Sequence, residues 1–224
     1  SGIGFGTFIG PIAASAAIEA AGWRSTLFTF GVVAAIGGVA ASLFLRNGPR
    51  GFERQDNAES SASSVYGLSL GEAVRTRPFW LLYLGALFVA IGIFIPFVHL
   101  VPYALSQGFE VADGAYVLGA VGVGSTLGRF LVGGIADKIG RERALLGAYA
   151  GITAMLFVWL CSETLSVLYV FALVFGICYG SFVALAPAVC ADFFGTRAAS
   201  SIIGVLYTSV AIGTLVGPSL AGFV

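Results

Sequence analysis

The stretch GAVGVGSTLGRFLVGGIADKIGRER, Gly119 to Arg143, holds one arginine inside an uncharged run that ends in a burst of alternating charges. From Ala115 to Ala136 there are 22 residues, and Arg129 is the only charged one among them. A helix of about 20 apolar residues crosses the hydrocarbon core of a bilayer. A charge inside such a span is costly and marks a functional site by default. The stretch therefore predicts a membrane-spanning helix with Arg129 at a functional site.

The composition of the whole chain agrees with a membrane environment. Hydrophobic residues make up 58% of it and charged residues 10%, and the mean hydropathy is +0.97. A soluble domain carries roughly 25% charged residues, so we expect an all-α integral membrane protein. Zero net charge with a single Lys argues against nucleic-acid binding. The apolar spans offer no constellation for a catalytic, metal or cofactor site, so we expect neither an enzyme nor a cofactor.

Seven apolar windows predict seven membrane-spanning helices. They run roughly over Ile3–Ala20, Leu27–Leu45, Phe79–Tyr103, Ala115–Ala136, Leu145–Cys161, Leu165–Ala191 and Ala199–Val224. The polar segment between the second and third windows contains RQDNAESSASS and is typical of a flexible linker. We therefore divide the chain into residues 1–46, the last two helices of one bundle, residues 47–77, a linker, and residues 78–224, the first five helices of a second bundle.

Basic residues predict the orientation in the membrane. Nine of the eleven Lys and Arg residues fall on one side of the predicted spans, namely Arg46, Arg50, Arg54, Arg75, Arg77, Lys138, Arg141, Arg143 and Arg197. Loops rich in Lys and Arg stay in the cytoplasm, and the opposite side is mostly acidic. The start of the chain and the linker are therefore expected on the cytoplasmic face of the plasma membrane.

Two similar hexapeptides indicate an internal repeat. GTFIGP and GTLVGP share Gly-Thr and Gly-Pro, and six helices separate one copy from the other. A parallel repeat of six helices is typical of one large class of secondary transporters. We expect the glycines to form smooth faces for close helix packing and sliding, and the prolines to loosen both helices, at Gly6, Gly10, Pro11, Gly213, Gly217 and Pro218.

The charge burst at the end of the opening stretch resembles a known loop. GGIADKIGRER is similar to the Gly-x-Leu-Ala-Asp-Arg-x-Gly-Arg-Lys loop of the major facilitator superfamily, between the second and third helices of each half. The charged positions and the turn glycine that fill this pattern are Asp137, Lys138, Gly140, Arg141 and Arg143. The resemblance implies the major facilitator fold of two six-helix bundles, here as a seven-helix fragment that covers helices five to eleven of twelve.

The same resemblance implies a gate. In the family the loop carboxylate, here Asp137, docks on the positive N-terminal end of a helix in the opposing bundle, here the helix beginning near Ser1. Asp137 and Arg141 form an i, i+4 pair if their helix continues, and Asp192 and Arg197 are candidates for the same network. The alternative is a solvated loop that only sets topology.

Within the superfamily the chain resembles the monocarboxylate transporters and the related oxalate–formate antiporters. The stretches that carry this resemblance are GWRSTLF from Gly22, RPFWLLY from Arg77, FVHLVPYALSQGF from Phe97 and GVLYTSVAIGTLVGP from Gly204. The implied activity is transport of small organic monocarboxylates by alternating access, with a co-transported proton. The implied partners are a carboxylate, a proton and the lipid bilayer.

Arg129 is the first candidate for the substrate site. It lies eight residues before Asp137, about 12 Å into the membrane, where a guanidinium needs an anion or a water-filled cavity. A substrate carboxylate offers planar, two-pronged pairing, and the alternative is a structural pair with an acid of another helix. Ser125, one turn earlier, stands where animal monocarboxylate carriers have Asp.

Oxalate–formate antiporters place a second cation where this chain has Val210. A single cation favours a monoanion as the substrate.

Four further residues are candidates for the substrate site. Tyr207 and Tyr179 are candidates to bind the substrate, with core packing as the equal alternative. His99 and Tyr103 are expected near the outer interface, where His99 either titrates during proton-coupled transport or packs.

Two rival functions stay open at this point. A drug–proton antiporter is suggested by the GxxxGP pattern of the first helix, although such carriers prefer central acids that these spans lack. Other organic-anion exchangers or uniporters of the same superfamily are further alternatives. From a different class, a membrane-embedded sensor would carry a soluble output domain.

Overall fold

The computed structural model describes residues 2–44 and 67–223. These residues form α1 (Gly2–Ala21), α2 (Trp23–Phe44), α3 (Leu70–Ala73), α4 (Arg77–Ser106), α5 (Val111–Ile139), α6 (Arg141–Leu160), α7 (Leu165–Phe194) and α8 (Ala199–Ala221). Among the described residues, six helices are long and apolar enough to cross a membrane, and α1 contributes a shorter apolar piece, Gly6–Ala21. The predicted all-α membrane fold is confirmed.

The helices α1, α2, α4, α5 and α6 begin one to four residues before their apolar windows, whereas α7 and α8 begin at the predicted residues, Leu165 and Ala199. Polar residues cap two of these helices. The Thr76 hydroxyl accepts a hydrogen bond from the amide of Phe79 at 3.4 Å, and Thr76 thereby caps α4. The Thr164 hydroxyl does the same for Val167 at 3.5 Å in α7. Hydropathy windows detect only the apolar interior of a helix, so the predicted starts were late by up to four residues.

The chain divides into two compact units. One comprises residues 13–66, with the rest of α1 and α2. In α2 the only buried side chain among the described residues is Thr26, and large apolar side chains such as Phe28 and Leu43 are exposed. Such a surface suits lipid or other apolar helices. Residues 47–66 of the predicted linker lie outside the described residues, and the division at 46 and 77 stays a prediction.

The other unit comprises residues 1–12 and 67–224. Its buried interior is a cluster between α4, α5, α6 and α7, with stacked rings at its centre. Phe171 lies between Trp159 and Phe175, with ring centroids 5.5 and 5.3 Å apart. Aromatic rings supply large contact areas and prefer such offset arrangements.

Helices α5 and α7 approach each other backbone to backbone. A Cβ added at Gly128 would lie 2.9 Å from the Ile177 backbone, and one added at Gly124 would lie 3.0 Å from the Ile177 nitrogen. The contact is reciprocal, since a Cβ at Gly180 would lie 2.7 Å from the carbonyl carbon of Ser125. Small residues drive close helix association in membranes, where dispersion contacts replace the hydrophobic effect.

The glycines of the repeated hexapeptide behave differently in their two copies. In α8, a Cβ at Gly213 would meet Ala90 of α4, and one at Gly217 would meet Ile91. In α1, by contrast, Gly6 and Gly10 face open space within the described residues. The expected packing of another helix on this face of α1 therefore stays a prediction.

The glycines at the contact between α1 and α5 belong to α5. A Cβ at Gly122 would lie 2.7 Å from the carbonyl carbon of Thr7, and one at Gly119 would lie 3.2 Å from the carbonyl oxygen of Phe8. The partner helix thus provides the small residues. Pro11 and Pro218 lie inside continuous helices, and the expected loosening of both helices stays a prediction.

Candidate substrate site around Arg129

Helix α5 places Arg129 deep inside the bundle. We call the end where α4, α6 and α8 begin the basic end, and the end near Glu110 and Glu163 the acidic end. Arg129 lies ten residues before the last residue of α5, or about 15 Å from the basic end. The side chain is half-buried, and its Nε and Nη2 atoms are buried. A guanidinium at this depth is in the interior of a hydrocarbon core about 30 Å thick.

Two tyrosines from two further helices share the surroundings of Arg129. Tyr179 on α7 and Tyr207 on α8 are half-buried, and the charge of Arg129 acts on both phenol groups. The two phenols also act on each other. A phenol hydroxyl donates one hydrogen bond, and a guanidinium donates up to five. Three helices therefore bring together hydrogen-bond donors and one positive charge, which is an arrangement suited to an anion.

Sequence reasoning missed one member of this group. Tyr149 on α6 interacts electrostatically with Tyr207, and its ring lies 5.7 Å from that of Phe182. Tyr149 lies eight residues into α6, at a depth of about 12 Å from the basic end. A lone phenol at that depth in an apolar helix was a signal that could have identified it.

Ser125 faces the packed interior between α5 and α7. Its side chain is 1% exposed, and its Oγ makes no hydrogen bond to any described residue. A buried hydroxyl without a partner costs about 1–3 kcal/mol. One turn of helix separates Ser125 from Arg129, so the two lie on one face of α5. The hydroxyl is thus available to a polar group that enters beside Arg129.

The structure places the other two predicted site residues apart from Arg129. His99 and Tyr103 line a cavity of about 470 Å³ toward the acidic end, together with Trp159 and Ser106. The His99 Nε2 atom lies 3.0 Å from the carbonyl oxygen of Pro218. The Tyr103 hydroxyl donates to the carbonyl oxygen of Ser162 at 2.7 Å. These contacts tie helices together, in line with the packing alternative for His99.

The charged loop between α5 and α6 pairs with Asp192, which the sequence named as a candidate for the same network. Gly140, with φ of +91°, ends α5, so the helix does not continue and the Asp137–Arg141 pair does not form. The Arg141 Nη1 atom instead donates to Asp192 Oδ1 of α7 at 2.8 Å. Asp137 and Lys138 are exposed. The loop therefore joins the basic ends of α6 and α7, and a cavity of about 420 Å³ lies beside it.

The expected docking of Asp137 on a helix end of the opposing bundle stays a prediction. Asp137 lies exposed in the last turn of α5.

Comparison with known proteins identifies the family. The pattern of the major facilitator superfamily matches residues 1–218. The chain belongs to the major facilitator superfamily. The long apolar helices, their close glycine contacts and the charged loop between α5 and α6 are thus parts of a transporter fold, as the sequence predicted, and the transporter-named relatives point away from an enzyme.

Several relatives of this superfamily member are similar over all or part of its length. It is 29% identical to monocarboxylate transporter 12 of Rattus norvegicus over 251 aligned residues, which cover 100% of this chain and 52% of that protein. It is 27% identical to monocarboxylate transporter 11 of Homo sapiens, over 92% of this chain and 45% of that protein. An aspyridones efflux protein of Emericella nidulans is 31% identical over 60% of the chain and 28% of that protein. The chain spans about half the length of the first of these relatives.

Proposed function

We propose that this chain belongs to a secondary active transporter that moves small organic monocarboxylates across the membrane by alternating access. The observation that carries the proposal is the position of Arg129, with Tyr179 and Tyr207 in its electrostatic field inside the membrane. A carboxylate matches the planar fork of a guanidinium in two parallel hydrogen bonds. The names of the monocarboxylate transporters 11 and 12 support the same substrate class.

The charge of the site favours a monoanion. Val210, where oxalate–formate antiporters carry a second cation, packs as a partly buried apolar residue. One guanidinium balances one carboxylate, and a second carboxylate would be desolvated without a matching charge. The tyrosine hydroxyls add neutral donors, which suit the carboxylate itself or a neighbouring oxygen of the substrate.

The basic end supports a cytoplasmic gate in this proposal. The positive-inside rule places Arg77, Lys138 and Arg197 in the cytoplasm, and the membrane is the plasma membrane. The Arg141–Asp192 pair links α6 and α7 there with both side chains about half exposed. A pair of this kind contributes about 0–1 kcal/mol, which is small enough to break and re-form in each transport cycle. The close contacts of Gly213 and Gly217 with α4 support rocking of packed helices.

Proton coupling requires a group that binds and releases a proton during the transport cycle. A proton carrier is an acid or a histidine, and Ser125 occupies the position at which animal monocarboxylate carriers have Asp. His99 lies at the acidic end, away from Arg129.

A second candidate function, proton-driven efflux of a larger organic compound, is favoured by the name of the aspyridones efflux relative.

Uptake into liposomes tests the proposal. The complete membrane protein would be reconstituted and offered labelled lactate, pyruvate, oxalate and a lipophilic cation, with and without an inward proton gradient. We expect accumulation of the two monocarboxylates, stimulation by the gradient, and little uptake of oxalate. Transport of the cation alone would overturn the proposal in favour of the efflux function. Monocarboxylate uptake at the same rate with and without the gradient would show that no proton is co-transported.

Replacing Ser125 by Ala separates a binding role from a packing role. The change removes a buried hydroxyl that has no hydrogen bond within the described residues, so stability should stay equal or rise by up to about 1 kcal/mol. If the hydroxyl contacts the substrate, KM for lactate should rise several-fold. Thermal unfolding in detergent and initial uptake rates provide the two readouts.

Ser181→Ala is the matched control for that experiment. The Ser181 hydroxyl donates to the carbonyl oxygen of Ile177 at 2.8 Å, so its loss should lower stability by about 0.5–1.5 kcal/mol. Equal destabilisation by both substitutions would mean that the Ser125 hydroxyl has a structural partner and no special place in the site.

A further inference from the structure

The last part of the predicted linker is attached to the basic end of the bundle. We call residues Gly67–Val74 the strap. Gly67 forms an isolated antiparallel bridge with Gly195 in the loop between α7 and α8, and the amide of Leu68 donates to the carbonyl oxygen of Phe194 at 2.8 Å. The strap therefore adds a short β contact to the end of α7.

The backbone at this contact requires glycine on both sides. Gly67 has φ of +145° and Gly195 has φ of +77°, and both values are strained for residues with a side chain. A Cβ at Gly67 would also lie 2.7 Å from the carbonyl oxygen of Phe194 and 3.0 Å from the Cα of Gly195. The close backbone approach and the positive φ angles are thus two independent reasons for glycine at this contact.

The rest of the strap is held by its own caps. The amide of Ser69 donates to Glu72 Oε2 at 2.7 Å, and the Ser69 hydroxyl accepts from the amide of Glu72 at 3.4 Å. This reciprocal pairing is a capping box, which stabilises the short helix α3. The hydrogen bonds from Ser69, with a smaller contribution from Arg197, lower the pKa of the Glu72 carboxyl. Glu72 is therefore charged at neutral pH and attracts the loop between α7 and α8.

The strap covers an apolar cluster at the basic end. Ala73 of α3 is fully buried there, and the cluster also contains Phe79, Cys190, Phe194, Ile202 and Leu206. These residues come from α4, α7 and α8. Trp80 of α4 holds the last residue of the strap, because its Nε1 donates to the carbonyl oxygen of Val74 at 2.9 Å. One short segment thus contacts the same ends of three membrane helices.

We infer that the strap is a clamp that holds the start of α4, the end of α7 and the start of α8 together as one rigid element at the basic end. A consequence concerns Asp192, which lies two residues before Phe194 and pairs with Arg141. Because the strap fixes the end of α7 through Phe194, it also limits the positions of Asp192. A displacement of the strap would therefore be transmitted through Phe194 to Asp192 and to its ion pair with Arg141.

Thiol labelling of Cys190 tests the clamp. Cys190 is 1% exposed and lies in the cluster that the strap covers, so a loosened strap should uncover it. The complete protein, with Cys161→Ala and Cys178→Ala as background, would be placed in nanodiscs and treated with a soluble maleimide. We expect Gly67→Ala to raise the labelling rate of Cys190 by about tenfold, the factor that corresponds to 1.4 kcal/mol.

Gly71→Ala is the matched control, since Gly71 lies in α3 of the same strap and a Cβ there meets nothing within 4 Å. Its labelling rate should equal that of the background protein. Hydrogen exchange adds a second readout, because the amide of Leu68 should lose protection in Gly67→Ala and keep it in Gly71→Ala. Equal labelling and equal exchange in the two variants would overturn the inference. Neither measurement depends on transport, so the outcome is distinct from that of the uptake experiment.

Discussion

Arg129→Lys is expected to reduce monocarboxylate transport by roughly 100-fold or more, although the positive charge is retained. An ammonium group cannot reproduce the planar two-pronged contact of a guanidinium with a carboxylate. Removing one partner of a buried charge pair costs about 2–5 kcal/mol, and each 1.4 kcal/mol is a factor of ten. Bulk water cannot replace the lost hydrogen bonds, because Arg129 lies deep in the membrane near the phenols of Tyr179 and Tyr207. Initial uptake rates in liposomes, taken over a range of lactate concentrations, measure the effect.

Arg129→Gln completes the experiment, because it removes the charge altogether. We expect a folded protein whose melting temperature no longer responds to lactate. If Arg129 instead serves a structural ion pair, the substitution strands the acidic partner, and expression and melting temperature fall together. Arg24→Gln is the control, since Arg24 is an exposed residue stacked over Trp23 at 5.0 Å. A lactate-dependent thermal shift that survives in Arg129→Gln would refute the binding role.

Gly128→Val is expected to have the largest effect on folding. The added Cβ would lie 2.9 Å from the Ile177 backbone, and the backbone of a packed helix cannot move aside as a flexible side chain can. Overpacking of this kind costs about 3 kcal/mol, which lowers the melting temperature by roughly 5–10 °C. The same change widens the gap between α5 and α7, which carry Arg129 and Tyr179. Detergent stability and uptake should therefore fall together.

Gly133→Val is the control on the same helix. A Cβ at Gly133 meets nothing within 4 Å, so the substitution should change stability by no more than about 0.5 kcal/mol. The pair of variants shares residue type, helix and membrane depth to within two turns. Similar losses in both would mean that valine harms insertion of α5 in general and that the contact with α7 is unimportant.

Much of the site was predictable from the sequence because membrane depth follows from residue count. Arg129 was placed by its distance from a helix end, whereas Tyr179 and Tyr207 were named through the resemblance to the family, and the charge of Arg129 acts on both of them in the structure. His99 and Tyr103 were likewise placed near one interface, and they line a cavity at that end. Depth along a helix depends only on the rise per residue, so it needs no knowledge of the neighbouring helices.

The sequence left open which residues lie opposite one another. Gly6 and Gly10 match Gly213 and Gly217 in sequence, yet only the second pair packs against another helix within the described residues. Arg141 pairs with Asp192, which the sequence named only as a candidate for the network of the charged loop. Tyr149 was overlooked although its depth was readable, and its interaction with Tyr207 depends on how α6 and α8 are arranged. Local sequence carries little information on such contacts.

Apolar length, the cost of a charge in hydrocarbon and helix geometry were enough to predict a membrane protein, the course of its helices and the depth of Arg129. The packing of the helices was needed to show which helix faces are in contact, which phenols interact with Arg129 and that the strap covers Cys190. Sequence patterns do not reveal this packing, because lipid is as apolar as the interior of the bundle. A membrane helix therefore has no apolar stripe that distinguishes its buried face, and the close fit of small residues between particular helices makes that choice.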